Sequence, residues 1–172
     1  GIAISMYMGL RIGEVCALQW KEIDLEKRVL TVSKTIQRVQ CRTGSKQTKL
    51  IITEPKSESS KRTIPIPDCL LPLLRRFKDN GEVYVVSGRK KPVEPRTMQY
   101  RFAKILHNAD LPSFHYHSLR HLFATRCVEL GFDVKTLSEI LGHSSVEVTL
   151  NRYIHSDMER KRTCMSLLSK CA

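Results

Sequence analysis

The sequence has few acidic residues, no long apolar run and no closely spaced pair of cysteines. Asp and Glu number 17 against 29 Lys and Arg. No stretch approaches the roughly 20 consecutive apolar residues of a transmembrane helix, and no basic-then-apolar leader opens the sequence. We therefore expect neither a membrane span nor a secretory signal in this chain. The 6 cysteines include no CxxC pair, which favours reduced thiols in an intracellular protein over a disulfide framework.

The basic excess is the strongest compositional signal. A chain of 172 residues, 41% hydrophobic and 27% charged, is long enough to fold as one domain with a substantial core. A formal net charge of +12 on such a domain indicates a polyanionic partner, with nucleic acid ahead of an anionic membrane surface. We therefore expect residues 1–172 to form a single domain that binds nucleic acid.

Strand-like patterns are confined to the first half of the chain. Residues that favour extended structure are dense over 28–40, 48–53 and 62–66. Helical periodicity accounts for most of the rest, which predicts a mainly helical α+β fold with a small three-stranded antiparallel sheet. The segment between residues 42 and 62 is basic. It is either a solvated hairpin or a ribbon that lies along a nucleic-acid groove.

Residues 117–153 have the pattern of three consecutive helices. The first helix is predicted to bury one apolar face, made of Leu119, Leu122, Phe123, Cys127 and Leu130. His117, Arg120 and His121 fall beside that face, within about 100° of one another around the helix axis. Side chains at the edge of a buried face are held in position, so these three are candidate functional groups.

The second and third helices of this stretch contribute two further candidates. The second is predicted over residues 133–141 and ends at Gly142, after which His143 stands in the break. The third carries Tyr153 on its apolar face. An ordinary core aromatic is the alternative interpretation of Tyr153, because apolar stripes at helical spacing usually reflect packing.

A short helix over residues 11–19 opens with a basic and an acidic residue one turn apart, Arg11 and Glu14. In isolation such a pair is a surface ion pair of little energetic consequence. The alternative is that Arg11 points to the same place as the later histidines and Arg120.

These residue types together can perform phosphoryl chemistry. The candidate set is Arg11, Lys56, His117, Arg120, His143 and Tyr153. If they meet, two guanidiniums can grip phosphate oxygens and stabilise a pentacoordinate transition state without a metal. A phenol can attack the phosphorus to form a phosphotyrosine, a histidine can accept its proton, and a lysine can protonate the leaving oxygen.

Several motifs resemble the tyrosine recombinase or phage-integrase family. Residues 117–126, which read HSLRHLFATR, are followed by LGHSS at 141–145 and by Tyr153. Residues 9–14, GLRIGE, resemble the family's first-arginine motif, and residues 56–65 its β-hairpin lysine segment. The resemblance covers almost the whole chain. It implies a mainly helical catalytic domain that cleaves and exchanges DNA strands through a 3′-phosphotyrosine, with no metal or cofactor.

The resemblance also implies a role for each matching residue. Arg11, His117 and Arg120 would bind the phosphate and its transition state, and His117 could also handle protons. His143 would donate a hydrogen bond within the site. Tyr153 would be the nucleophile.

More than one lysine could be the general acid. The resemblance points to Lys56, but acidic residues flank it, so Lys49 or Lys61 stays possible. Glu14 and His121 are expected to orient their neighbours rather than touch the substrate.

The resemblance implies partners as well. They are double-stranded DNA and three further copies of the protein, with the final predicted helix, residues 157–170, contacting a neighbouring subunit. We expect the sequence to be a fragment that lacks the family's separate N-terminal DNA-binding domain. The expected location is the cytoplasm of a bacterial or phage-infected cell.

Three other interpretations stay open. A type IB topoisomerase shares the phosphotyrosine chemistry, and a non-catalytic DNA-binding module shares the basic charge. A metal hydrolase would use His115, His117 and His121, whose spacing suits zinc, although no nearby acidic residue completes the ligand set.

Overall fold

The computed structural model describes residues 1–40, 48–54, 60–79, 81–153, 158, 161–162 and 165–166. Its α-helices are α1 (Ile2–Met8), α2 (Ile12–Ala17), α3 (Leu71–Arg76), α4 (Pro95–Asn108), α5 (Ser118–Glu129), α6 (Val134–Leu141) and α7 (Val146–Tyr153). Its strands are β1 (Ile23–Asp24), β2 (Val29–Val32), β3 (Thr35–Gln40), β4 (Thr48–Thr53) and β5 (Arg62–Pro65). Short 3-10 turns occupy Trp20–Glu22 and Asp68–Leu70. The predicted mainly helical α+β class is confirmed. Lys56 and most of the predicted final helix, 157–170, lie outside the described residues.

The strands form two antiparallel units. A three-stranded sheet has the order β1-β2-β5, and β3 pairs with β4 in a separate two-stranded ribbon. The prediction of an antiparallel three-stranded sheet is therefore confirmed, but its membership differs, because residues 28–40 form two strands instead of one. Ser33 and Lys34 separate the two strands. Ser33 donates a hydrogen bond to Glu22, at the end of the first 3-10 turn, and Lys34 donates one to Gln19, just before that turn.

Close packing between α2 and β3 fixes the ribbon against the helical part of the domain. A Cβ added at Gly13 would lie 2.5 Å from Thr35 Oγ1 and 2.6 Å from the Ile36 carbonyl oxygen. The ribbon is tied a second time where Arg38 Nε donates to Glu94 at 2.7 Å, at the start of α4. Because residue 13 is a glycine, α2 can lie directly on the β3–β4 ribbon.

Among the residues that the structure describes, buried apolar side chains form three clusters. The largest joins α1 and the three-stranded sheet to α3, and a second packs α2 against α4 and the start of α5. The third lies between α5 and α6 and consists of Ala124, Cys127, Val128, Leu137 and Leu141. Phe123 and Tyr153 pack against this third cluster. None of the helices in the described part of the chain has the length and apolar character that crossing a bilayer requires.

The buried face of α5 differs from the predicted one. Leu119 and Cys127 are buried as expected, but Leu122 is 53% exposed and Leu130 is 69% exposed. Arg120 is buried in their place, with 2% of its surface exposed. Helix α5 packs on the end of α1 at Gly9, where an added Cβ would lie 2.5 Å from the Phe123 ring. This close contact turns the polar edge of α5, with Arg120, toward the interior.

Candidate active site

Three arginines converge on the C-terminal end of α6. The carbonyl oxygens of three consecutive residues there each accept one guanidinium hydrogen bond. The bonds run from Arg62 Nε to Ile140 at 2.6 Å, from Arg120 Nη2 to Leu141 at 2.7 Å, and from Arg11 Nη2 to Gly142 at 2.9 Å. The last carbonyls of a helix have no partner inside it and carry the negative end of its dipole. Cations from three separate parts of the chain therefore fix this end of α6.

Gly142 allows this convergence in two ways. Its φ of 65° lies in the left-handed region, which terminates α6 at the predicted residue. A Cβ at this position would also lie 2.8 Å from Arg62 Nη1. The absence of a side chain lets the arginine reach the helix end, and His143 then leaves the helix at a fixed point.

A buried carboxylate links two of the arginines. Glu14 accepts from Arg62 Nη1 and Nη2, each at 3.0 Å, in a forked arrangement. It also accepts from the Arg11 backbone N–H at 2.8 Å and from Arg11 Nη1 at 3.0 Å. Burial opposes ionisation of Glu14, but the hydrogen bonds and charge of Arg62, joined by Arg11, lower its pKa below the ordinary value. Since the Glu14 side chain is 4% exposed, the interpretation of this pair as a surface ion pair is wrong.

Arg120 is held from two sides inside the domain. Its Nη1 donates to the Gly9 carbonyl at 2.7 Å, and its Nη2 donates to Leu141. Burial, followed by repulsion from Arg11, lowers the pKa of Arg120, and the guanidinium still keeps its charge at neutral pH. The two carbonyl bonds fix its plane and leave other N–H groups for an anion.

Four of the candidate residues line one cavity of about 230 Å³. The lining consists of Arg11, His117, Arg120, His143, Ser144 and Val148. His117 is exposed, so the cavity is open to solvent. Two guanidiniums and two imidazoles around a small solvent-open space form a site whose charge and donors suit a phosphate group.

Contacts of the histidines extend this arrangement toward α7. His143 Nδ1 lies 2.8 Å from Thr149 Oγ1, and Thr149 is fully buried. On the other side, the His117 and His121 rings meet edge to face with centroids 4.6 Å apart. The Tyr153 hydroxyl is 3.0 Å from His121 Nδ1. Tyr153 is thus one histidine away from the cavity and outside its lining.

Two of the three lysine candidates, Lys49 and Lys61, belong to the described residues. Lys56 lies outside the described residues. Lys61 is exposed and lines a neighbouring cavity of about 330 Å³ together with His143. Lys49 is exposed on β4. Within the described ranges, no three His, Cys, Asp or Glu side chains are placed to hold a metal ion, His115, His117 and His121 included.

Sequence reasoning missed two residues of this site, Arg62 and Thr149. Arg62 is part of the 56–65 motif, and strand alternation places it on the same face as buried Ile64. Thr149 lies four residues before Tyr153 on α7, so helical spacing places both on one face. Periodicity contained both signals, but basic and hydroxyl side chains are rarely expected to be buried.

Comparison with known proteins gives consistent matches over nearly the whole chain. The profile described as the phage integrase family matches residues 2–160. A XerC-like tyrosine recombinase of Caldanaerobacter subterraneus is 33% identical, over 94% of this chain and 46% of its own length. The ICEBs1 integrase of Bacillus subtilis is 28% identical, over 88% of this chain and 43% of its own. This chain therefore spans about half the length of these curated relatives.

Solved structures of similar proteins share the fold. The Tn1549 transposon integrase in complex with circular intermediate DNA superposes with a TM-score of 0.75 at 30% identity, covering 97% of this chain and 58% of that one. The XerA recombinase superposes with a TM-score of 0.67 at 22% identity.

Proposed function

The chain belongs to the phage integrase family, and from that membership we propose that it cuts and rejoins DNA as a site-specific tyrosine recombinase. The observation that supports this most is the cavity in which Arg11, His117, Arg120 and His143 meet. A backbone phosphodiester of duplex DNA is the proposed occupant. The relative solved with circular intermediate DNA supports this choice of substrate.

The proposed roles follow from where each group lies. Arg11 and Arg120 bind the non-bridging phosphate oxygens, with their guanidiniums already oriented by carbonyls. They would stabilise the extra negative charge of the pentacoordinate transition state. His117 and His143 line the same cavity and supply further hydrogen bonds, with His143 held by Thr149.

Tyr153 is the proposed nucleophile. Its oxygen forms a bond to phosphorus while the bond from phosphorus to the 5′ oxygen breaks, which leaves a 3′-phosphotyrosine and a free 5′-hydroxyl. The phenol proton would pass to a neighbouring histidine, and His121 Nδ1 is 3.0 Å from the hydroxyl. Because Tyr153 is outside the cavity lining, the phenol has to move toward the phosphate when DNA binds.

A lysine is the proposed general acid that protonates the departing 5′ oxygen. Lys56 is the candidate from its motif, and Lys49 and Lys61 are the alternatives; Lys61 lines the neighbouring cavity together with His143. Lys56→Ala and Lys61→Ala proteins can be compared on substrates with a normal and a 5′-bridging phosphorothioate linkage. A sulfur leaving group needs no proton, so the modified substrate restores cleavage only in the variant that lacks the acid.

The proposed assembly is four copies of the protein on two DNA duplexes, with residues 157–170 of each copy contacting a neighbour. The proposal includes residues 1–172 as one catalytic domain and the bacterial cytoplasm as its location. The resemblance supports these statements. Light scattering of the protein with and without a duplex would measure the number of copies per complex.

A nicked suicide substrate tests the chemistry. The probe is a pool of nicked duplexes with randomised sequence around the nick. The label is on the strand whose 3′ phosphate would become covalently attached to the protein. The wild type should give a labelled covalent adduct on a denaturing gel, in EDTA as well as in magnesium. Tyr153→Phe should give none, whereas Tyr7→Phe, a change at an exposed tyrosine on α1, should react as the wild type does.

Three results would contradict the proposal. A wild-type protein that binds duplex DNA but forms no adduct would indicate a DNA-binding module. An adduct that Tyr153→Phe still forms would move the nucleophile elsewhere. Relaxation of a supercoiled plasmid by the monomer, without exchange between two duplexes, would instead favour a topoisomerase.

A further inference from the structure

Arg62 occupies a position that none of the proposed catalytic roles uses. It begins β5, yet its side chain is only 7% exposed. It lies outside the lining of the cavity that contains Arg11 and Arg120. It lines the neighbouring cavity instead, and its charge needs partners inside the domain, because burial of a charge is unfavourable unless it is paired.

The hydrogen bonds of Arg62 join the two halves of the site. Both of its Nη atoms donate to Glu14, which in turn holds the backbone and side chain of Arg11. Its Nε donates to the Ile140 carbonyl, two residues before Gly142. One guanidinium therefore links Arg11, the residue just before α2, with the helix end from which His143 departs.

We propose that Arg62 is a positioning residue, which sets the distance between Arg11 and His143 by bridging Glu14 and the C-terminal end of α6. The guanidinium fork is required because Nε and both Nη atoms are used at once, in directions that a single ammonium group does not offer. Arg62→Lys keeps the charge and removes this geometry. The catalytic part of the inference rests on the proposed function.

Amide hydrogen exchange of the DNA-free protein tests the positioning directly. In Arg62→Lys, exchange should accelerate by about tenfold or more over residues 11–14 and 140–145, while α4 keeps its protection. The matched control is Arg28→Lys, whose exposed pair with Asp68 contacts neither segment. Unchanged exchange over both segments in Arg62→Lys would overturn the inference.

Adduct formation on the nicked pool tests the consequence for catalysis. Misplacement of catalytic groups by about 1 Å costs roughly 100-fold in rate, so we expect that loss in Arg62→Lys. The Kd for an intact duplex should change by less than about threefold, because Arg62 makes no phosphate contact in the proposed arrangement. A wild-type adduct rate in Arg62→Lys would overturn the inference and leave the proposed function intact.

Two further outcomes are also decisive. If the wild type forms no adduct, the proposed function fails, and hydrogen exchange alone decides the positioning role. If Arg62→Lys does not fold, Glu14→Gln replaces it, because that change breaks the same link from the other side. Glu14 is joined to the end of α6 through its hydrogen bonds to Arg11 and Arg62. Protection from exchange over residues 140–145 should therefore fall in Glu14→Gln, and unchanged protection there would overturn the inference.

Discussion

The carboxylate of Glu14 should contribute more to stability than any exposed charge in the domain, and Glu14→Gln measures that contribution. The carboxylate accepts four hydrogen bonds from Arg11 and Arg62. In Glu14→Gln one oxygen still accepts two of these bonds. The other oxygen is replaced by an NH₂ group, which is a donor and cannot accept the remaining two. Each hydrogen bond to a charged group contributes about 1.5 kcal/mol or more, so two lost bonds alone give about 3 kcal/mol.

The charge left behind increases that loss. Arg62 is 7% exposed, and removing one partner of a buried ion pair typically costs about 3 to 5 kcal/mol. We expect the free energy of unfolding to fall by that amount. For a domain of this size about 1 kcal/mol corresponds to roughly 2–4 °C, so Tm should fall on the order of 10 °C.

Urea denaturation followed by circular dichroism, with thermal melts at the same salt concentration, would measure both quantities. The m-value should not change, which shows that the same surface is exposed on unfolding. Glu82→Gln is the matched control, because Glu82 forms an exposed pair with Lys21 and should shift Tm by no measurable amount. A loss below about 1 kcal/mol in Glu14→Gln would refute the reasoning, since that is the value of a surface pair.

Three more measurements test the same structure. Because the pKa of Glu14 is lowered in the folded protein, the ionised carboxylate stabilises the fold fully above the ordinary carboxyl pKa, and this stabilisation is lost as pH falls through the lowered pKa. Below pH 4.5, Tm should therefore fall less steeply with decreasing pH in Glu14→Gln than in the wild type. Thr149→Val removes the partner of His143 Nδ1, so adduct formation should slow by about 5- to 10-fold, with duplex Kd unchanged; an unaltered rate would show that the contact has no role in cleavage. Duplex affinity should fall by about 10- to 100-fold between 50 and 200 mM salt if about three phosphates are neutralised, and an affinity that ignores salt would contradict phosphate binding by this domain.

The sequence predicted the helices around the site better than their orientation. Gly142 ends α6 as expected, and the segment that carries Tyr153 is helical. The predicted buried face of α5 was wrong at Leu122 and Leu130. Periodicity shows that a helix has an apolar face, but it does not show which neighbouring element covers that face. The approach of α1 at Gly9 decides that, and it is a tertiary contact.

The candidate site shows the same division. Motif spacing named four residues that line one cavity, and nothing in that spacing required a buried Arg62 behind them. The helix end that Arg62 holds is 78 residues away along the chain. Local patterns report residues that share a face of one element. They do not report a cation on one element that meets carbonyls on another.

The three guanidiniums on consecutive carbonyls of α6 also have a consequence for folding. They come from positions 11, 62 and 120, and their acceptors begin at residue 140. During synthesis the chain must therefore extend past residue 142 before all of these arginines find their acceptors. Contacts at such long sequence separation form late, so we expect a refolding domain to acquire its secondary structure before it can form the proposed adduct with DNA. Recovery of activity would then report the final step of folding.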